Sequence, residues 1–150
     1  VTEKLPLVGA DGYFALEQQK DRIAQDSGLE VETITHLLNR HGSLISEILE
    51  LISAQPKLAK KLDESLPYIK AEIVYAASHE GARTVDDVIS RRTRLAFEAP
   101  QAGIDLVDDI AALIAPLLGW SAAEKKASVA EYRQQVEAEV AALAALLVNS

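Results

Sequence analysis

Apolar positions along this chain recur at three- and four-residue spacing and nowhere sustain a two-residue alternation. Val31, Ile34, Leu37 and Leu38 form one such row, and Ile45, Ile48, Leu49 and Ile52 form the next. Rows of that spacing lie along one face of an α-helix, so the pattern predicts helices and no strands. The first helix is expected over 13–26, where Ser27-Gly28 stops it, and the second over 30–40, with Gly42 beyond its end. Ser43 is placed to cap a third helix that Pro56 ends, although Glu47 falls one residue too late for a full capping box. Pro67 opens a segment over 68–80 whose apolar residues run nearly all the way round, as in a buried central helix.

Further on, Thr84 with Asp87 three residues later predicts an N-cap and a helix reaching about Ala96, before Pro100. The run 104–118 is strongly apolar and stops at Gly119. Ser121 and Glu124 form a capping box for a last helix over 122–148. Its stripe is Val129, Tyr132, Val136, Val140, Leu143 and Leu147. Tyr68 and Trp120 each follow a helix-breaking residue and precede an apolar run, so both are expected to be buried at helix junctions. The predicted fold is all-α, a compact bundle of six to seven helices over residues 11–150, with 1–10 as an extended connector.

Composition narrows the chemistry. The 150 residues include no cysteine, which excludes disulfides and thiolate metal sites. No uncharged apolar stretch reaches the ~18–20 residues of a membrane span. The chain starts at Val1 and contains no methionine, the mark expected of a domain excised from a longer polypeptide. The net charge of −8 argues against nonspecific nucleic-acid binding and against docking on an anionic bilayer. The seven glycines are scattered, without a Gly-x-Gly-x-x-Gly turn. No pair among His36, His41 and His79 has a metal-ligand spacing, and a lone histidine near Asn39-Arg40 is read as a helix-end residue.

One cluster stands out against the acidic background. Four of the seven arginines, Arg83, Arg91, Arg92 and Arg94, fall within twelve residues. On a wheel at 100° per residue, Arg92 sits amid Val85, Val88, Ile89 and Leu95, while Asp87, Arg91 and Arg94 gather on another side. Asp87 and Arg91 have the i, i+4 spacing of an ion pair. An arginine on an apolar arc must snorkel or meet a carboxylate. Glu80, in line with Ile69, Ile73 and Ala76, is the first choice of partner for a buried Arg92, and Glu72 is the second; His79 lies on the face of Glu72. Held this way, the charges tie helices together. Read chemically, the arginine forks suit an anion or phosphate.

These residues also resemble a known family. The stretch 66–76 (Leu-Pro-Tyr-Ile-Lys-Ala-Glu-Ile-Val-Tyr-Ala), then His79-Glu80, Ala82-Arg83-Thr84, Asp87-Val88 and Arg91-Arg92-Thr93-Arg94-Leu95, resembles the C-terminal helical domain of FAD-dependent glycerol-3-phosphate dehydrogenases and α-glycerophosphate oxidases. Upstream, Leu38-Asn39-Arg40-His41-Gly42-Ser43 is similar to the family's Arg-Tyr-Gly-Ser element, with His41 in place of Tyr. Downstream, Ile104-Asp105 and Leu118-Gly119-Trp120 fit the family's closing helices, and Gly81 departs from it where a larger side chain is usual.

The resemblance implies a parent enzyme with FAD in a separate N-terminal domain. That enzyme would oxidise sn-glycerol 3-phosphate to dihydroxyacetone phosphate and pass electrons to quinone or oxygen. This chain would then be an accessory domain holding no catalytic, cofactor-binding or metal residue. Glu72, His79, Glu80, Arg83, Thr84, Asp87, Arg91, Arg92 and Arg94 would serve as a structural or interdomain motif. The missing flavin domain is the implied partner, with a homo-oligomer compatible. A cytoplasmic location is implied, the parent lying at the inner face of the cell membrane. The competing readings are a stand-alone helical protein-interaction module and, disfavoured by the charge, a nucleic-acid module built on Arg83–Arg94.

Overall fold

A computed structural model gives the architecture and describes residues 15–149. The described residues are helical, with no strand; an isolated antiparallel bridge joins Lys61 and Ile69. The all-α expectation is met. The chain divides into two compact units, Val1–Glu72 and Ile73–Ser150. The start of the predicted first helix at Tyr13 and the connector over 1–10 lie outside the described residues.

In the first unit a helical turn over 15–18 leads into α1 (Lys20–Ser27), followed by α2 (Val31–His41) and α3 (Ile45–Ala54). Gly28 closes α1 with φ +77, a left-handed conformation that a β-carbon disfavours, and its N–H bonds the Ala24 carbonyl at 2.9 Å. The predicted apolar rows turn inward at Ile34, Leu37, Leu38, Ile45 and Ile48, which are fully buried, whereas Val31, the first residue of α2, is exposed. Ser43 does not cap α3. It lies in a 3₁₀ turn, Gly42–Leu44, that leads straight into the helix, so no free N-terminus is left for its hydroxyl. A second 3₁₀ turn, Pro56–Ala59, follows α3.

The helix α4 (Lys70–Ser78) carries the division between the units within it. Its residues Ala71 to Ala76 are all buried, as the all-round apolar pattern predicted. Tyr68, just before it, is fully buried as expected.

The second unit departs from the predicted pattern at one place. The helix after Thr84 does not run to Ala96. From Asp87 to Arg92 it is a π-helix, and Thr93 is extended, with φ −128 and ψ 179. The Thr93 N–H bonds the Val88 carbonyl at 2.9 Å, five residues back, and the Thr93 hydroxyl donates to the same carbonyl at 2.8 Å. A side chain that satisfies the last turn's carbonyls competes with helix continuation. A short helix α5 (Leu95–Glu98) resumes, followed by a kinked segment, Pro100–Leu106, with left-handed backbone at Gln101, Ala102 and Gly103, and then α6 (Val107–Leu118). The predicted helix over 104–118 therefore begins later, at Val107.

The last helix, α7 (Ala122–Val148), matches its predicted bounds, and the Ser121 hydroxyl accepts the Glu124 N–H at 3.1 Å. Its stripe divides in two. Val129, Tyr132 and Val136 are buried, whereas Val140 and Leu143 are each 61% exposed and Leu147 is 77% exposed. At 1.5 Å per residue, the 27-residue helix is about 40 Å long, and it outruns the unit it packs against. Trp120, expected in a junction, is only half-buried, in the short connection between α6 and α7.

Candidate functional site

Two groups of polar residues are built by these elements, one in each unit. In the first unit the carboxylate of Glu72 is 1% exposed. Its Oε1 accepts from Nε2 of His36 at 2.9 Å and from Nε2 of His41 at 3.0 Å. Its Oε2 lies 3.1 Å from the His36 Nε2 and accepts the Ile69 N–H at 3.0 Å. Both imidazoles are nearly covered, with 11% and 6% of their side chains exposed. His36 also meets the Tyr68 ring edge-on, and the Arg40 guanidinium lies over that ring at 5.7 Å.

The electrostatics follow from this geometry. Burial works to raise the Glu72 carboxyl, but the hydrogen bonds from His36 and His41, the charge of His36 and the Ile69 N–H outweigh it. The group therefore sits below the ordinary glutamate value. His41 is the last residue of α2, as the helix-end reading of a histidine near Asn39-Arg40 has it, but that reading gave no sign of this cluster. Glu72 was expected, as second choice, to hold Arg92; its donors are instead two histidines of α2. The available signal was the carboxylate itself. A glutamate on an all-round apolar helix demands buried donors.

In the second unit the arginine run forms a surface. Arg83, Arg91, Arg92 and Arg94 are all exposed. This overturns the expectation of a buried Arg92. The 100° wheel fails here because i→i−5 bonding winds more residues into each turn, and Arg92 is the last residue before the chain leaves the helix at Thr93. Arg91 and Arg94 are exposed as expected. Arg91 Nη1 bonds Asp86 Oδ2 at 2.9 Å and Asp87 Oδ1 at 2.7 Å, and Arg94 Nε pairs with Glu98 at 3.5 Å.

The Thr84–Asp87 cap is formed, with the Thr84 hydroxyl accepting the Asp87 N–H at 3.0 Å. In return Asp87 Oδ2 accepts the Arg83 N–H at 3.0 Å. Burial tends to raise the Asp87 carboxyl, yet that N–H, the Arg91 charge and hydrogen bond, and the Thr84 contact together hold it below its usual value. Glu80 is half-buried, and its Oε1 is covered without a hydrogen-bond partner. His79 is exposed, stacks on Tyr75 at 4.7 Å, and shares a 2.6 Å hydrogen bond with Ser78 through Nδ1.

Among the described residues no three His, Cys, Asp or Glu side chains are arranged to hold a metal ion. The described residues also include no strand-to-helix glycine turn of the kind that cradles a dinucleotide pyrophosphate. No described helix is long and apolar enough to cross a membrane.

Comparison with known proteins places the chain. The family profile described as the C-terminal domain of alpha-glycerophosphate oxidase matches residues 1–125. A Mycobacterium tuberculosis protein named glycerol-3-phosphate dehydrogenase 2 is 44% identical over 140 residues, which is 93% of this chain and 24% of that protein. The Mycobacterium leprae glycerol-3-phosphate dehydrogenase is 41% identical over 140 residues, with the same coverage of 93% and 24%. A probable mitochondrial glycerol-3-phosphate dehydrogenase of Caenorhabditis elegans is 33% identical over 144 residues, 93% of this chain and 20% of that protein. The chain thus spans about a quarter of the mycobacterial relatives. No solved structure matches it. The chain belongs to the family of the alpha-glycerophosphate oxidase C-terminal domain.

Proposed function

We propose that this chain is the C-terminal accessory domain of an FAD-dependent glycerol-3-phosphate dehydrogenase and is inert by itself. The observation that carries this reading is the 44% identity over nearly the whole chain to a quarter of a protein named glycerol-3-phosphate dehydrogenase 2. The parent oxidises sn-glycerol 3-phosphate to dihydroxyacetone phosphate, with FAD accepting the hydride and electrons passing on to quinone or oxygen. The flavin belongs to the remaining three quarters of the polypeptide, because the residues described here form no dinucleotide cradle. Hydride transfer is the cofactor's chemistry; a helical domain of this kind contributes position and support.

Glu72, His79, Glu80, Arg83, Thr84, Asp87, Arg91, Arg92 and Arg94 then divide into two roles. Glu72, Thr84 and Asp87 fix local structure through their hydrogen bonds. The exposed Arg83, Arg91, Arg92 and Arg94, with His79 and Glu80 on the approach to them, form the side that meets the flavin domain. The test is glycerol 3-phosphate oxidation with an artificial electron acceptor, by the full-length polypeptide and by a version lacking this region. Turnover in the full-length protein is expected, and no turnover there would overturn the reading.

A further inference from the structure

Residues 95–150 carry three cationic side chains against eight acidic ones, and all three cations line one groove. The groove, about 490 Å³, runs along the first half of α7 beside the start of α6. Lys125, Lys126 and Arg133 line it together with Val129, Ala130, Gln134 and Asp108. Helical spacing brings these residues together: Lys126, Ala130 and Arg133 are four and three apart, and Lys125 is four before Val129, which puts them on one face. Val129 is 6% exposed and forms part of an apolar floor. Asp108 Oδ2 holds Arg133 Nη2 at 2.7 Å, which leaves the groove with two uncompensated positive charges in a protein of net charge −8.

Helix stability does not account for this placement. Cations in the opening turns of a helix oppose its dipole, so Lys125 and Lys126 do nothing for α7 there. Two lysines and an arginine beside an apolar floor instead match a compact anion of several oxygens joined to an apolar body. The surroundings select for size. Glu124 and Glu131 are exposed on the same helix and Asp109 is exposed on α6, so an extended acidic peptide or an anionic bilayer would meet several like charges, whereas a small anion inside the groove would meet only Asp108.

We propose that this groove binds a small soluble organic phosphate, its phosphoryl group among Lys125, Lys126 and Arg133 and its apolar part over Val129 and Ala130. Asp108 is the built-in competitor, because the phosphate must take Arg133 from it. The experiment is an amide-resolved NMR titration of this chain with phenyl phosphate, inorganic phosphate and phosphatidate-containing vesicles. Saturable shifts at residues 108 and 125–134 are expected, with phenyl phosphate binding more tightly than inorganic phosphate. Asp108→Asn should tighten phenyl phosphate binding several-fold, and the Lys125→Gln/Lys126→Gln double variant should weaken it on the order of tenfold. These side chains are exposed, and unchanged shifts elsewhere will show that the variants remain folded. The proposal is overturned if the double variant binds as the parent does, if Asp108→Asn weakens binding, or if only the vesicles bind.

Discussion

Glu72 and His41, thirty-one residues apart in sequence, share a 3.0 Å hydrogen bond with both side chains nearly closed to solvent. His36 reaches the same carboxylate oxygen, so one glutamate satisfies two imidazoles from α2 and the Ile69 N–H. Removing it takes away the acceptor that these three donors share. Glu72→Ala should therefore destabilise the chain by roughly 3–5 kcal/mol, read as a shift in urea midpoint at unchanged slope. A loss below about 1 kcal/mol, within the range of an exposed ion pair, would contradict the buried cluster.

The same residue sets a pH dependence. The folded-state pKa of Glu72 is depressed, so its stabilisation is fully present above the unfolded value, about 4.3. It is lost as pH falls through the lower, folded value. Glu72→Gln removes the titrating group, so its stability should fall less steeply than the parent's below about pH 4.3. Melting temperatures from pH 3 to 6 check this, and parallel curves for the two proteins would refute it.

The parts of the fold that were legible in the sequence are those decided locally. The Ser121–Glu124 cap and the apolar rows of α2 and α3 depend on residues a few positions apart, and they came out in place but for the exposed Val31. The Glu72 cluster was not legible, because the path of the chain from Gly42 to Ile69 decides which donors reach that carboxylate. The burial assigned to Arg92 failed for a more specific reason. A wheel assumes uniform winding, and Thr93 ends the helix in a π turn that no periodicity announces. The distal stripe of α7 shows the converse case, in which an apolar pattern forms a helix that its own unit does not cover.

The π turn makes an ordering testable. Thr93→Val keeps the shape but removes the hydroxyl that bonds the Val88 carbonyl and accepts the Leu95 N–H, all of it buried. It should cost about 1–3 kcal/mol, whereas Arg92→Ala, on the surface, should stay within about 0.5 kcal/mol. Thermal unfolding of the two variants decides the matter, and the reverse order would restore the uniform helix with a buried Arg92.

Gln101 and Ala102 sit at φ 51 and 56, a left-handed conformation that L side chains seldom adopt, and the Tyr132 hydroxyl holds the Ala102 carbonyl at 2.5 Å. Ala102→Gly should raise stability, or leave it level, by up to about 1 kcal/mol, because glycine enters this region without a β-carbon penalty. Tyr132→Phe should lower it by about 1 kcal/mol. A clear loss in Ala102→Gly, measured by chemical denaturation, would argue against the left-handed backbone there.

The reading as an accessory domain stands or falls on where the flavin is. The direct measurement is the visible absorption spectrum of the purified 150-residue chain beside that of the full-length polypeptide, each then supplied with glycerol 3-phosphate. The account predicts a colourless chain and a yellow full-length protein whose flavin bleaches on adding substrate. A yellow 150-residue chain, or a full-length protein without flavin, would contradict it.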